Sequence, residues 1–201
     1  MNGSIFIHMG YPHCASTFLQ KQIFMKLKDF KYIGNKAHQC RNKFFFPTEK
    51  TFYKAIAMKY TNNLILSNEH FAGTKWGDEK INWVKLLSSV FPDANVILVT
   101  RNKREWVNCM YHYYMNVTGK HIDFEYWYDN ILNHKFLDID SLINSIQENF
   151  NGRLIVEPFE NLVNDHRIFV NNICSFMNVP IPAYENIKVH ATDYDRYKLK
   201  V

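Results

Sequence analysis

The residues best placed to do chemistry form a short loop near the start of the chain, residues 10–17 (Gly-Tyr-Pro-His-Cys-Ala-Ser-Thr). Residues 4–9 before it predict a buried strand, and Leu19, Ile23 and Leu27 after it share one face of a predicted amphipathic helix. A tight loop between a strand and a helix N-terminus gathers backbone N–H groups and the positive end of the helix dipole around one point. The loop therefore predicts a binding site for an anion such as phosphate.

Two other polar groups follow predicted core strands. Glu69 and His70 come soon after an apolar run at 63–67, and Arg101 directly follows the β-branched run at 95–100. Strands that alternate with helices indicate a parallel sheet covered on both faces, which is a three-layer α/β/α fold. Because ligands bind at the carboxyl ends of the strands in such sheets, we expect these groups and the loop to converge there.

The elements predicted around these groups complete the sheet and its two covering layers. Further strands are expected at 32–33 and 153–157, and helices at about 48–60, 78–90, 103–116, 123–134, 139–150 and 165–178. No repeat, linker or low-complexity segment divides the chain. We therefore expect one domain over 1–201, with the tail at 181–201 acting as a lid over a site or only loosely ordered.

Size and composition limit the classes of function. The chain has 201 residues, of which 47% are hydrophobic and 21% charged, an ordinary balance for one globular domain. The net charge of +5 suits an anionic ligand, but no dense Lys/Arg block predicts nucleic-acid binding. Four widely spaced cysteines predict neither a zinc site nor disulfides, and no apolar run approaches the roughly 18 residues of a membrane span. These features predict a cytoplasmic protein without a metal.

The loop differs from that of nucleotide triphosphatases in one decisive residue. Gly10, four residues, Ala15, Ser16 and Thr17 keep the spacing of the pattern G-x-x-x-x-G-K-[ST]. However, Ser16 stands where a lysine would contact the β- and γ-phosphates, so the main charge clamp for phosphoryl transfer is missing. Kinase chemistry is disfavoured, although a small-molecule kinase with an altered phosphate loop stays an alternative.

Three segments, in order, resemble the sulfotransferases that use 3′-phosphoadenosine-5′-phosphosulfate (PAPS). Residues 11–17 resemble the family's Pro-Lys-x-Gly-Thr-[Thr/Ser] loop, which binds the 5′-phosphosulfate. Residues 91–102 (Phe-Pro-Asp-Ala-Asn-Val-Ile-Leu-Val-Thr-Arg-Asn) resemble its "FPDAKIILVLRNP" strand, and residues 156–162 resemble its "Y-E-D-L" element. The resemblance implies a fold of the P-loop nucleotide triphosphatase type with a single parallel sheet.

The resemblance also implies a set of cofactor contacts. The family's arginine, and a serine eight residues later, hold the 3′-phosphate of the cofactor, and these positions are Arg101 and Cys109 here. His13 takes the place of the loop lysine, and Ala15 that of the loop glycine. The residues expected to bind PAPS, or its product 3′-phosphoadenosine-5′-phosphate (PAP), are Pro12, His13, Cys14, Ala15, Ser16, Thr17, Arg101 and Cys109.

Sulfuryl transfer also needs a cation and a base. His13 is assigned to the cation, the alternative being a loop histidine that is merely exposed to solvent. The base that takes the proton of the acceptor hydroxyl is expected to be Glu69 or His70, since Ser67-Asn68-Glu69 fits the Ser-x-Glu pattern of relatives in which glutamate is the base. The alternatives are a surface glutamate and a structural histidine.

These observations predict a PAPS-dependent sulfotransferase that acts on a hydroxyl of a small molecule or glycan, for example a sugar. A nucleotide-binding module of the same fold that has lost catalysis is the first alternative, because His13 and Cys109 depart from the family's motifs. The kinase named above is the second. The acceptor and the oligomeric state have no signal in the sequence.

Overall fold

The computed structural model describes residues 4–34, 49–60, 63–72 and 80–185. Within them lies a five-stranded sheet with the order β2-β3-β1-β4-β5. Every neighbouring pair of strands is parallel, and helices flank the sheet, as the sequence predicts for a three-layer α/β/α fold. The strands are β1 (Ile5–Gly10), β2 (Lys31–Ile33), β3 (Leu64–Ser67), β4 (Asn95–Thr100) and β5 (Leu154–Pro158).

The helices fill the connections between these strands. A first helical segment, α1, begins as an α-helix (Ser16–Phe18), continues as a π-helix (Leu19–Ile23) and ends as a 3₁₀-helix (Phe24–Lys26). Two further 3₁₀ turns cover Glu69–Ala72 and His134–Leu137. The remaining helices are α2 (Glu49–Lys59), α3 (Lys80–Ser88), α4 (Lys103–Thr118), α5 (Phe124–Asn130), α6 (Ile139–Asn149), α7 (Phe159–Asn164) and α8 (His166–Met177).

The sheet centre is occupied by β1, which explains why the loop after it lies at the middle of the carboxyl edge. β1 pairs with β3 from Ile5 opposite Leu64 and with β4 from Phe6 opposite Asn95. All four residues of β3 and the four inner residues of β4 are buried. Since both faces of these strands are covered, their side chains form a continuous apolar run instead of alternating with polar ones.

Two details of the helices that follow α4 differ from the sequence prediction. The helix expected at 123–134 ends at Asn130, and a separate 3₁₀ turn follows because the Asn133 side chain accepts a hydrogen bond from the backbone N–H of Lys135. The short helix α7, between β5 and α8, was not predicted at all. It is only six residues long, so its apolar periodicity is too short to recognise.

The start of the tail is attached to α1. Lys26 Nζ donates to the Ala183 carbonyl at 2.8 Å, the Glu185 N–H donates to Gln22 Oε1 at 3.2 Å, and the Tyr184 ring packs on Phe18. The rest of the predicted tail, 186–201, lies outside the described residues, as does the loop expected around residues 46–47. The lid and the single-domain organisation therefore stay predictions. Among the described helices, none is long and apolar enough to cross a membrane.

Candidate functional site

The backbone of the loop is shaped by two residues in the left-handed region, His13 (φ 63°) and Ala15 (φ 60°). Between them, the Cys14 N–H closes a turn on the Tyr11 carbonyl at 3.1 Å. Alternation of left- and right-handed conformations turns successive N–H groups toward one side, which is the geometry of an anion-binding nest. Non-glycine residues rarely adopt a positive φ, so the loop holds this shape at a cost in backbone strain.

The carbonyl groups of the loop are bound from the opposite side. Trp106 Nε1, on α4, donates to the Pro12 carbonyl at 2.9 Å. Arg101 Nη1 donates to the His13 carbonyl at 3.1 Å. These two hydrogen bonds join the loop to the end of β4 and to α4, so Trp106 is a positioning residue that the sequence motifs did not identify.

The N-terminus of α1 supplies donors toward the nest. Its N-cap residue is Ala15, which has no side chain to accept from the first backbone N–H groups, so those of Ser16, Thr17 and Phe18 are not capped. The Ser16 hydroxyl is buried and, within the described part of the chain, has no hydrogen-bond partner. A Cβ on Gly10 would lie 2.5 Å from Ser16 Oγ, so any larger residue there would displace the Ser16 hydroxyl. An anion of phosphate size would satisfy these donors together.

Arg101 supplies the cationic side of the site. Its side chain is only 8% exposed, and Nη2 lies 4.0 Å from Glu105 Oε2. Its guanidinium carbon lies over the Phe159 ring, 4.6 Å from the ring centroid. His13 is exposed at the rim of the loop, and its ring centroid is 5.0 Å from that of Tyr113 on α4. Glu105, Cys109 and Tyr113 recur every four residues after Arg101, and that spacing in the sequence could have identified the face of α4 that continues from the arginine.

The electrostatic environment of Cys14 shows that the predicted groups converge. Burial raises the pKa of the Cys14 thiol far above its usual range; the charge of Arg101 lowers it, whereas Cys109, Glu160 and Glu69 raise it further. These four residues come from the ends of two strands and from two helices, yet all lie close enough to act on one sulfur atom. Cys14 is therefore a neutral, packed thiol, while Cys109 is half-buried.

The two candidate bases lie in the 3₁₀ turn after β3. The Asn68 side chain accepts from the His70 N–H at 2.9 Å, and the Asn68 N–H donates to the His8 carbonyl at 3.3 Å, which ties this turn to β1. Glu69 is half-buried and acts on Cys14, whereas His70 is exposed. Of the two, Glu69 is the one whose charge acts on the loop, through Cys14.

A buried polar network lies beneath the loop. Ser67 Oγ lies 2.8 Å from His8 Nδ1, accepts from Gln20 Nε2 at 3.1 Å and is hydrogen-bonded to the Tyr32 hydroxyl. His8 is fully buried, and desolvation lowers its pKa to about 3, so the ring is neutral. The sequence indicated an interior histidine here but not its partners, which are remote along the chain.

In the described ranges, no cluster of His, Cys, Asp and Glu side chains has the arrangement of a metal site. The donors that the site does hold are backbone amides, a hydroxyl and a guanidinium. This set suits anionic phosphate or sulfate oxygens rather than a cation.

Comparison with known proteins identifies the family. A sequence model described as "Sulfotransferase family" matches residues 32–183, most of the chain, and begins after the loop. A sulfotransferase from Alicyclobacillus acidocaldarius is similar in structure, with a TM-score of 0.59 and 12% identity over 99% of this chain and 91% of that one.

The sulfotransferase domain from the curacin biosynthetic pathway is also similar, with a TM-score of 0.55 and 12% identity over 90% of this chain and 75% of that domain. Among curated protein sequences, none matches this chain significantly. The structural matches support the P-loop-like α/β fold. The predicted membership of the sulfotransferase family is confirmed, and the match includes the segments at 91–102 and 156–162 but not the loop. The chain belongs to the sulfotransferase family.

Proposed function

We propose that this chain transfers a sulfuryl group from PAPS to a hydroxyl acceptor, such as that of a carbohydrate. The single observation that carries the proposal is the placement of Arg101 beside a loop whose helix N–H groups and Ser16 hydroxyl are unsatisfied. One cradle for a 5′-phosphate and one guanidinium for a second phosphate match the two charged ends of a 3′-phosphorylated nucleotide. A triphosphate would instead need a loop lysine, and Ser16 stands in its place.

The roles of the residues follow from their chemistry. Ser16, Thr17 and the amides of the loop would hold the 5′-phosphate end, and Arg101 with Cys109 the 3′-phosphate. His13, exposed at the rim, would neutralise charge on the leaving phosphate when its ring is protonated. Glu69 would accept the proton of the acceptor hydroxyl, with His70 as the alternative base. Pro12, Cys14 and Ala15 would act through the shape of the backbone.

Bound PAPS would supply the sulfuryl group, which would pass from the phosphate oxygen to the acceptor oxygen as Glu69 takes the acceptor proton, with PAP as the leaving group. The chain itself supplies donors that are already in position, so they need no reorganisation when negative charge develops.

A titration calorimetry experiment tests the nucleotide specificity. PAP should bind, and ATP with magnesium should neither bind nor displace it. Binding of ATP with magnesium in preference to PAP would overturn the proposal in favour of the kinase. Binding of PAP with no transfer to a panel of hydroxyl acceptors would favour the catalytically impaired module, which the replacement of a serine by Cys109 motivates, since a thiol is a weak donor.

A pair of variants tests the base. Glu69→Gln should bind PAP as tightly as the wild type and lose at least about a hundredfold in turnover, the usual scale for a general base. His70→Gln is the matched control from the same turn and should keep most of its turnover. The opposite pattern would assign the base to His70. The pH dependence of turnover tests His13, since His13→Lys should extend activity to higher pH.

A further inference from the structure

The guanidinium group of Arg101 is enclosed by three elements at once. Its Nη1 donates to the loop carbonyl of His13, its Nη2 lies 4.0 Å from Glu105 on α4, and its carbon lies over the ring of Phe159 on α7. Phe159 is itself 8% exposed, so the ring and the guanidinium meet in a largely desolvated place. A cation over an aromatic ring is held more strongly when water is excluded.

The residue after Phe159 holds the residue after Arg101. Glu160 Oε1 accepts a hydrogen bond from the Asn102 N–H at 2.7 Å. The Asn102 side chain in turn caps α4 by accepting from the N–H groups of Arg104 and Glu105 at 3.0 and 3.3 Å. Two consecutive residues of α7 thus define the place where β4 ends and α4 begins.

The helix α7 is anchored to the sheet. Glu157, the buried residue of β5, accepts from Asn161 Nδ2 on α7 at 2.8 Å and from Asn172 Nδ2 on α8 at 3.2 Å. The start of α7 is therefore attached to the edge strand and to the neighbouring helix, and its first residues offer a rigid support for Arg101.

We propose that Phe159 and Glu160 are positioning residues that direct Arg101 toward the 3′-phosphate and so set the preference for a 3′-phosphorylated nucleotide. An aromatic ring holds the plane of a guanidinium without using its N–H donors. The Glu105 carboxylate, 4.0 Å from Nη2, lies beyond hydrogen-bond distance and so leaves that donor to the ligand. This inference rests on the proposed function, because it assigns the second phosphate to Arg101.

The test compares the affinities of PAP and adenosine 5′-monophosphate (AMP), which lacks the 3′-phosphate, by titration calorimetry. In Phe159→Leu the ratio of the two affinities should fall about fivefold, in the range expected for a desolvated cation–π pair, while the affinity for AMP stays unchanged. Phe159→Tyr should keep the ratio of the wild type. An equal loss for both nucleotides would show a merely structural role and overturn the proposal.

The chain offers a matched control. The Arg153 guanidinium lies over the Phe176 ring, 4.9 Å from the ring centroid. Arg153 directly precedes β5 and Phe176 is on α8, so this similar pair does not involve the loop. Phe176→Leu should leave both affinities unchanged. If Phe159→Leu does not fold, Glu160→Ala gives an independent test, since it should lower the ratio while Glu160→Gln, which keeps an acceptor oxygen, should not.

The outcomes separate the two proposals. If the wild type binds PAP and AMP with equal affinity, no group of the chain recognises the 3′-phosphate. The proposed function then fails together with this inference. If the wild type prefers PAP and neither Phe159→Leu nor Glu160→Ala changes the ratio, the proposed function stands and this inference is wrong.

Discussion

Acidification should destabilise this protein through one buried histidine, His8. The ring is fully buried in β1, packs against the Phe24 ring at 5.3 Å between centroids and has Ser67 as a hydrogen-bond partner. Desolvation lowers its pKa to about 3, against about 6.5 in an unfolded chain. Between these two values the unfolded chain takes up a proton that the folded chain refuses, so the stability falls as the pH falls below 6.5.

The size of the effect follows from linkage. One extra proton bound by the unfolded chain lowers the free energy of unfolding by about 1.4 kcal/mol for each pH unit. Because the unfolded ring is only half protonated at pH 6.5, the stability falls by about 2.3 kcal/mol between pH 6.5 and pH 4.5 through His8. This is a large part of the roughly 5–15 kcal/mol that a typical domain has. At pH 7.5 and above, the His8 ring is neutral in both the folded and the unfolded chain, so it no longer makes the stability depend on pH.

The assay is urea unfolding followed by circular dichroism at pH 7.5, 6.5, 5.5 and 4.5. The variant His8→Gln should be less stable than the wild type at neutral pH, but it lacks the pH dependence that comes from His8. The difference in free energy of unfolding between the two proteins should therefore shrink in acid. His121→Gln changes an exposed histidine and serves as the control, whose curve should run parallel to that of the wild type. Parallel curves for wild type and His8→Gln would refute the reasoning. So would an NMR titration in which the His8 ring becomes protonated between pH 7 and pH 5 in the folded protein.

Two further predictions concern stability. The buried Lys80 donates to the Lys135 and Asp138 carbonyls at 2.7 and 2.6 Å. Lys80→Met should therefore lower the free energy of unfolding by about 2 kcal/mol, as measured by urea denaturation. An unchanged midpoint would show that the desolvation cost of the ammonium cancels its hydrogen bonds. Because Ala15 has a positive φ, Ala15→Gly should raise the free energy of unfolding by up to about 1 kcal/mol, since the relief of backbone strain exceeds the added entropy of the unfolded chain. Ala15→Val should lower the free energy of unfolding. A loss of stability in Ala15→Gly would contradict this account.

The parts of the fold that the sequence predicted are those set by local pattern. Strand β4 occupies 95–100 as expected, because the β-branched run between Ala94 and Arg101 is typical of a strand buried on both faces. The last helix, expected at 165–178, spans His166–Met177, since Asp165 caps its start and Asn178 adopts the left-handed conformation at its end. Both signals are short-range.

The parts that the sequence could not predict depend on contacts between distant residues. The single helix expected after the loop changes to a π-helix at Leu19–Ile23, and Gln20 within it reaches Ser67, 47 residues away. Trp106 binds the Pro12 carbonyl across 94 residues. The motif positions predicted that Arg101 lies beside the loop. The support given by α7 could not be predicted, because it arises only from the packing of β5 beside β4.

The central place of β1 has a consequence for how the protein is made. Both neighbours of β1 follow it in the chain, so β1 acquires them only when residues 64 and 95 onward have been synthesised. Parallel pairing at such sequence separations is slow, because the chain must close long loops before any contact compensates for the lost entropy. We expect the anion site to assemble late in folding. A chain that stops before residue 95 should present an apolar β1 with one edge uncovered, which chaperones would bind.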